Sequence, residues 1–503
     1  MSSSLRLLRM LLLGIDLGTS SVKVSVMDAS KGKVLATAQH PETEAAIISH
    51  QPGWAEQSPG VWWQDVQTAI LKVNATGAFN PADIGAIGIA YQMHGLVLVD
   101  SNQNVIRDSI IWCDNRAVSL GEKAFETIGQ NYCLTHLLNS PGNFTASKLA
   151  WVKQNEPERY AQIHKMMLPG DFISMKLTGE ITTTIAALSE GMFWDFKNNC
   201  LSAVVMEYYG LDAAHIPAIK NVFDTHGYLS ESIATTLGLP KGIPVTYKAG
   251  DQQNNALSLN VLRPGEVAAT AGTSAVIYAV SDSLQADTAS RVNSFAHVNH
   301  TLEQNSIGVL LCINGAGISN SWIKQKMGAS SYSEMNTLAA SVAPGSDGVT
   351  VLPFGNGSER MLHNKNIGAH ILGLDFNRHQ AAHLFRAVQE GVVFAMQYGF
   401  KVLQQNGVQP RVIRAGKANM FLSDVFVNCF VNTLQVPLEL YHTDGSKGAA
   451  IGAGYGAKLY ATIEEAFVNS KPLATIEPAV NTNYKEAYQN WEQQLALQIK
   501  NNQ

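Results

Sequence analysis

A chain of 503 residues is too long for one compact core, because cores stop growing at roughly 250–300 residues, so two large domains are expected. Hydrophobic residues make up 46% and charged residues 15%, a balance that argues against disorder and against a coiled coil. The formal net charge of −5, with no basic run of five residues, argues against a nucleic-acid partner, and five scattered cysteines without a CxxC argue against a disulfide frame or a zinc site and fit a reducing, cytoplasmic setting.

The first apolar run, Leu5 to Leu13, flows straight into Gly14-Ile15-Asp16 with no small-residue cleavage site. It reads as a buried strand over Leu11–Ile15 behind an upstream extension of residues 1–9, not as a signal peptide. No other apolar run reaches the ~20 residues that a membrane span needs, so no membrane partner is expected. Val24–Met27, Ile84–Ala90, Leu96–Val99 and Pro244–Tyr247 read as further short strands. Ser58-Pro59 opens a helix, since serine caps free N–H groups and proline is tolerated in the first turn. A long helix is expected over Asn377–Gln405, with Leu384, Val388 and Val392 recurring every four residues and Asn406-Gly407 as its stop. The boundary between halves is expected near Asn254–Pro264, giving domains over 10–257 and 258–470, and the polar tail 471–503 reads as a terminal helix. Strands alternating with helices define an α/β fold.

One internal echo organises the chain. Leu17-Gly18-Thr19-Ser20-Ser21-Val22 near the start is answered by Ala271-Gly272-Thr273-Ser274-Ala275-Val276 about half a chain later. Each Gly-Thr-Ser lies between apolar runs and so fits the turn of a β-hairpin. In the first turn, Gly18 allows close approach of a ligand to the backbone, and the N–H and O–H groups of Thr19 and Ser20 suit phosphate oxygens. Asp16, at the end of the strand, suits Mg²⁺ held through water. Asp251 follows an apolar strand and a glycine, which places a carboxylate where α/β clefts form and where a base for phosphoryl transfer to an alcohol would stand. Taken singly, these are equally an ordinary hairpin and an ordinary turn aspartate.

Together with further segments these residues resemble the FGGY family of carbohydrate kinases, within the actin-like, RNase H-like ATPases. The matching stretches run from Leu12 to about Tyr460: Gly14–Lys23, Phe144–Trp151, Leu177–Glu180, Gly250–Gln253, Ala271–Ser274, Ser358–Arg360 with His363-Asn364, and Ile371–Leu374 leading into His383–Glu390 with a departure at Gln389. The resemblance implies two RNase H-like domains around a central cleft, ATP and Mg²⁺ as cofactors, Asp251 as general base, and a metal site at Asp16 and Asp251. It assigns phosphate and nucleotide contacts to Gly18, Thr19, Ser20, Lys23, Gly272, Thr273, Gly317, Ser321, Gly416 and Asn419. It also makes a homodimer an expected assembly.

Tyr91-Gln92-Met93-His94-Gly95 resembles the xylulokinase branch, in which a Met-His pair contacts the ketose, so Met93, His94, Gln252, Trp54 and Asp114 become the expected sugar contacts and D-xylulose the expected substrate. Two departures stand out. Gln252-Gln253 resembles glycerol kinases instead, which keeps L-ribulose and glycerol in play. Ile413–Asn419 retains one glycine of the family's glycine stretch and carries the bulky Arg414, which bears on the nucleotide slot.

Overall fold

The structure is a computed structural model and describes residues 10–479 and 484–502; the expected extension over residues 1–9 lies outside the described residues. The first half is built on a six-stranded sheet. Its strands are β1 (Leu11–Leu17), β2 (Val22–Asp28), β3 (Lys33–His40), β4 (Ile84–Tyr91), β5 (Gly227–Tyr228) and β6 (Pro244–Gly250), in the order β5-β6-β4-β1-β2-β3. The second half carries seven strands: β7 (Glu266–Ala271), β8 (Ala275–Ser281), β9 (Asn293–Ala296), β10 (Ile307–Ile313), β11 (Val412–Gly416), β12 (Leu438–Tyr441) and β13 (Ala474–Ile476), in the order β9-β10-β8-β7-β11-β12-β13.

The two sheets share a core. In each, three antiparallel strands (β1-β2-β3, β7-β8-β10) continue through two strands parallel to the first (β4 and β6, β11 and β12). The Gly-Thr-Ser echo is therefore a repeat of connectivity: both tripeptides are the turns of the opening hairpins, β1–β2 and β7–β8.

β1 needs no alternation because both its faces are covered. Leu12, Leu13, Ile15 and Leu17 are fully buried, and each such side chain contributes roughly 1.5–3 kcal/mol relative to exposure. That burial fixes the strand end on which Asp16 sits. The helices used below are α1 (Pro59–Ala75), α2 (Thr145–Asn155), α3 (Asp251–Ser258), α4 (Ala316–Lys326), α5 (Ala381–Gln405), α6 (Gly445–Gly456) and α7 (Tyr484–Asn501). The long helix starts at Ala381, four residues later than its periodicity predicts. Residues 375–379 instead close a turn in which the Asp375 carboxylate accepts from the Asn377 N–H at 2.9 Å and His379 Nδ1 accepts from the Asp375 N–H at 2.9 Å.

The halves interlock through helices. α6 follows β12 of the second sheet yet packs on β1, β4 and β6 of the first. It is anchored there by Thr246 Oγ1 donating to the Ala453 carbonyl at 2.8 Å and by a 2.7 Å bond between the Ser25 and Ser446 hydroxyls. α3 leaves the first sheet and packs against α6 and β7. α7 closes the second half, with Trp491 fully buried and its Nε1 donating to the Val351 carbonyl at 2.8 Å.

Candidate active site

Three parallel strands of the first sheet end side by side and deliver polar residues to one edge. In register, Asp16 of β1 lies opposite Ala90 of β4, and Gly250 of β6 lies opposite Tyr91. Asp16, the segment Gln92–His94, and Asp251 with Gln252 therefore emerge from adjacent carboxyl ends. With strands ~4.8 Å apart, the outer two span about 10 Å, the width of a small cleft.

The acids at this edge feel one another. Burial, then the charges of Asp251 and Asp444, push the Asp16 carboxyl up to about 7, against a smaller pull from Lys23. Burial pushes Asp251 up to about 6, opposed by hydrogen bonds from Gln252. Asp16 also packs tightly on the start of α6: a Cβ on Gly445 would lie 2.1 Å from Asp16 Oδ2, so any side chain there would displace the Asp16 carboxylate. Asp444 caps α6, accepting from the Lys447 N–H at 3.0 Å, and pairs with Lys23 Nζ at 2.5 Å. Burial works against the Asp444 charge, but these bonds outweigh it and hold its carboxyl below the ordinary value. Lys23, expected on the phosphate, is thus placed in an ion pair across the two halves.

Two carboxylates at one sheet edge, both with raised affinity for protons, are short of positive charge, the condition that Mg²⁺ with its retained waters satisfies. Among the described residues no cluster of three or more His, Cys, Asp or Glu side chains is placed to hold a metal ion.

His94 sits in the left-handed region, with φ at 61°. Lys148 of α2 holds it there: its Nζ, fully buried, donates to the carbonyls of His94 and Ile111, both at 2.9 Å. Burial lowers the Lys148 ammonium to about 7, opposed by the Asp114 charge. The His94 ring lies 4.8 Å from Phe144 and 5.3 Å from Phe295 of β9, a contact between the halves. Burial, then the Lys148 charge, push its pKa down to about 3, so the ring is neutral. Its Nδ1 lies 3.0 Å from the Glu190 carbonyl and therefore carries the hydrogen. Nε2 is left as an acceptor. Met93 is buried beside it, and Gln252 Oε1 is buried without a hydrogen-bond partner. Glu190 itself is fully buried with no partner for either carboxylate oxygen; burial raises its pKa well above the ordinary range.

Two expected sugar contacts are placed elsewhere. Asp114 is fully buried and accepts from the Ala55 N–H at 2.6 Å and from the Arg116 guanidinium at 2.7–3.0 Å, so no oxygen is left for a sugar. Its satisfied bonds make it a buttress. Trp54 lies under that guanidinium, 3.8 Å from its ring centroid, and lines a separate cavity of about 610 Å³ with Glu56, Arg107 and Arg159. Both were singled out from segments that do run near the cleft, but the charged pair Asp114–Arg116 claims them.

At the first turn the Gly18 N–H donates to the Ser21 carbonyl at 3.0 Å, closing it. The Thr19 hydroxyl donates to Gln92 Oε1 at 3.2 Å and accepts from Trp112 Nε1 at 2.9 Å. Its side chain is thereby used internally, while Ser20 is exposed.

A second cavity of about 420 Å³ opens in the second half. It is lined by Gly272, Thr273, Gly317, Ser321 and Asn419, all expected at the nucleotide, and also by Asn320, Tyr332, Asn336, Gln389, Leu422 and Ser423, which sequence reading missed. Gly317 at the start of α4 touches the second turn so closely that a Cβ would lie 1.9 Å from the Gly272 carbonyl oxygen. Glu359, fully buried, accepts from the N–H groups of Asn314 at 2.9 Å and Gly315 at 3.3 Å, and so holds the entry to that helix. Gly416 is not among the lining residues. Arg414 does not obstruct the cavity: its guanidinium pairs with Glu439 at 2.8 Å and Glu266 at 3.3 Å.

The fold and this geometry have relatives. The pattern of the FGGY family of carbohydrate kinases, N-terminal domain, matches residues 11–258, and that of its C-terminal domain matches residues 267–457. A xylulose kinase of Escherichia coli (strain K12) is 29% identical over 469 residues, covering 92% of this chain and 93% of that one. A xylulose kinase of Haemophilus influenzae is 28% identical over 500 residues, covering 95% and 98%. Among solved structures, a kinase from Brucella ovis described as a xyloylose kinase superposes with a TM-score of 0.85 at 27% identity, over 97% of this chain and 98% of that one. Glycerol kinase of Plasmodium falciparum with ADP shares the fold, with a TM-score of 0.87 at 19% identity over the same shares. With both family patterns spanning most of its length, the chain belongs to the FGGY family of carbohydrate kinases, phosphotransferases that act on a sugar hydroxyl.

Proposed function

We propose that the chain transfers the γ-phosphoryl group of ATP to the terminal C5 hydroxyl of D-xylulose, with Asp251 as general base. The observation that carries this is the convergence of Asp251, Asp16 and the neutral His94 at one sheet edge, beside a turn that repeats in the second half. Family membership and the xylulose kinases among its relatives support the substrate.

The residues divide the work. His94 Nε2, an acceptor, receives a hydrogen bond from a ketose hydroxyl, and Gln252 Oε1, which has no partner, accepts a second. Asp251 takes the proton from the attacking hydroxyl as the sugar oxygen bonds to the γ-phosphorus and the bond from that phosphorus to the bridging oxygen breaks, releasing ADP; a pKa of about 6 leaves Asp251 ionised yet basic near neutrality. The N–H groups of the two Gly-Thr-Ser turns offset charge on the phosphate oxygens. Asp16 and Asp251 would hold Mg²⁺, which supplies charge neutralisation on the phosphates when bound. The tight seat of Asp16 on Gly445 and the Lys23–Asp444 pair fix the end of β1 to the start of α6, the helix that the second half lends to the first sheet.

The test is turnover of D-xylulose, L-ribulose and glycerol with saturating ATP and Mg²⁺. D-xylulose is expected to give the highest kcat/KM. Faster turnover of L-ribulose or glycerol would transfer the assignment to that substrate, the reading that Gln252-Gln253 keeps alive.

A further inference from the structure

The nucleotide cavity contains a polar chain that runs from one of its helices to another. Ser423 Oγ lies 2.6 Å from Gln389 Oε1, and Gln389 Nε2 lies 3.1 Å from Asn336 Oδ1. All three residues line the cavity, together with Asn320, which is 6% exposed and has no hydrogen-bond partner for Oδ1. Gln389 is the position at which the chain departs from its family's signature, and it is almost fully buried.

The distances fix the direction of the chain. A separation of 2.6 Å is usual for O–H···O and short for N–H···O, so Ser423 donates its hydroxyl to the Gln389 carbonyl. Gln389 must then offer its NH₂ to Asn336, and Asn336 must answer with its carbonyl. What Asn336 has left for the cavity is therefore its NH₂, a donor. A floor of apolar side chains would leave that amide free to turn either way.

We infer that Gln389 is a positioning residue that locks Asn336 as a hydrogen-bond donor to ring nitrogen N1 of the purine, so that the chain selects adenine over bases that carry a hydrogen at N1. The inference rests on the reading of this cavity as the nucleotide site. Adenine N1 is an acceptor, whereas N1 of hypoxanthine and guanine is a donor. Facing an N–H donor, the latter two bases leave two donors opposed and unbonded, the kind of mismatch that sets polar specificity. The Gly272–Thr273 turn and Gly317 line the same cavity and would hold the phosphate end of the nucleotide. The N1 edge of a purine is the edge farthest from its ribose, so a wall built by other helices is placed to meet it. Tyr332 and Asn336 belong to the helix Tyr332–Ala340, which packs on α5 and on the helix Asp424–Leu434.

Reversing the amide should reverse the preference. In Gln389→Glu a carboxylate accepts from both neighbours, so Asn336 turns its NH₂ to the glutamate and shows its carbonyl to the base. In Asn336→Asp, at a half-buried position, the retained Gln389 donates to one carboxylate oxygen and the other faces the base as an acceptor. Both variants are expected to lower the ratio of kcat/KM for ATP to that for ITP about tenfold or more, with the ketose KM unchanged. Calorimetric titration of the full chain with ADP and with IDP, without sugar, should show the same change in ratio.

A ratio that stays at the wild-type value in both variants overturns the inference, as does a uniform loss of activity and melting temperature with no change in base preference. Failure of the underlying reading looks different: Gly317→Ala, whose methyl group would push into the turn lining this cavity, would then leave ADP affinity at the wild-type value. Binding of both with equal affinity by the wild type also overturns the inference, since a locked donor must discriminate between them.

Discussion

The proposed ketose edge and the proposed nucleotide cavity are built in opposite ways. The ketose edge takes Asp16, Gln92–His94 and Asp251–Gln252 from the ends of three neighbouring parallel strands, so each residue follows directly on an apolar run that fixes it. The nucleotide cavity draws its walls from the turn Gly272–Thr273, from α4, α5, the helix Tyr332–Ala340 and the segment around Asn419. The first is rigid because a sheet is rigid and because a buried lysine clamps its one strained residue. The second depends on contacts between side chains carried by different helices. Substitutions at the ketose edge should therefore act on chemistry and fold, and those in the cavity on nucleotide affinity.

The largest effect is expected at the base. Asp251→Asn keeps the shape of the strand end and removes proton acceptance, so kcat should fall about 10²–10⁴-fold with little change in melting temperature. A steady-state assay retaining more than about a tenth of the wild-type kcat would remove Asp251 from that role. Lys148→Met comes next. It removes the charged donor that two buried carbonyls share and leaves them only longer bonds, from Thr145 Oγ1 to His94 at 3.3 Å and from the Asp114 N–H to Ile111 at 3.2 Å, at a cost of about 1.5–3 kcal/mol in denaturant unfolding. The ketose KM should rise with it, because His94 loses the clamp on its left-handed backbone, while ADP affinity is retained. Equal loss of ADP affinity would show that the two regions are not independent.

On the nucleotide side, Gly317→Ala drives a methyl group into the Gly272 carbonyl and should raise the ATP KM about tenfold, with the ketose KM unchanged. An unchanged ATP KM would show that the second turn does not hold phosphate.

What the sequence makes legible follows the same division. Asp16, Asp251, His94 and both glycine turns are readable because strand ends and hairpins are local: a run of apolar residues and a turn tripeptide identify them without knowledge of the rest of the chain. The connectivity shared by the two sheets was visible only as an echo of three residues, since sheet order depends on pairings hundreds of residues apart. Asn336 and Gln389 meet across 53 positions and carry no local signal; only the break in the signature at Gln389 marked the place. Lys148 lies within a quoted motif, but nothing in its neighbours tells that its ammonium reaches two carbonyls. Asp114 and Trp54 were misplaced because a bidentate arginine two residues from Asp114 takes both the carboxylate and the ring face.

Acidification separates kcat from KM. Burial, opposed by the Gln252 hydrogen bonds, raises Asp251 to about 6, and a base works only when ionised, so kcat should fall as pH drops through that value, about tenfold by a pH one unit lower. His94 moves the other way: burial and the Lys148 charge hold its pKa near 3, so it stays a neutral acceptor throughout that range. The ketose KM should therefore remain flat between about pH 5 and 6.5, below the Lys148 value of about 7 and where an ordinary imidazole would titrate. A KM that climbs below about pH 6.5 while kcat holds would exchange the two assignments.

The smallest effect is expected where the sequence looks most disruptive. Arg414 stands in the family's glycine stretch, a place where bulk would close the nucleotide slot. Its guanidinium instead turns to Glu439 and Glu266, on the strands either side of its own, and hydrogen-bonds Glu439 at 2.8 Å. Arg414→Ala removes a partly buried pair from the sheet and leaves the cavity lining intact, so the melting temperature should drop while the ATP KM stays within about threefold of wild type. A much lower ATP KM in the variant would mean that the arginine crowds the slot after all, and the cavity would then have to be read as partly shut in this chain. An unchanged KM beside the Gly317→Ala defect would locate nucleotide binding on the turn, α4, α5 and the Asn419 end of the glycine stretch, away from Arg414.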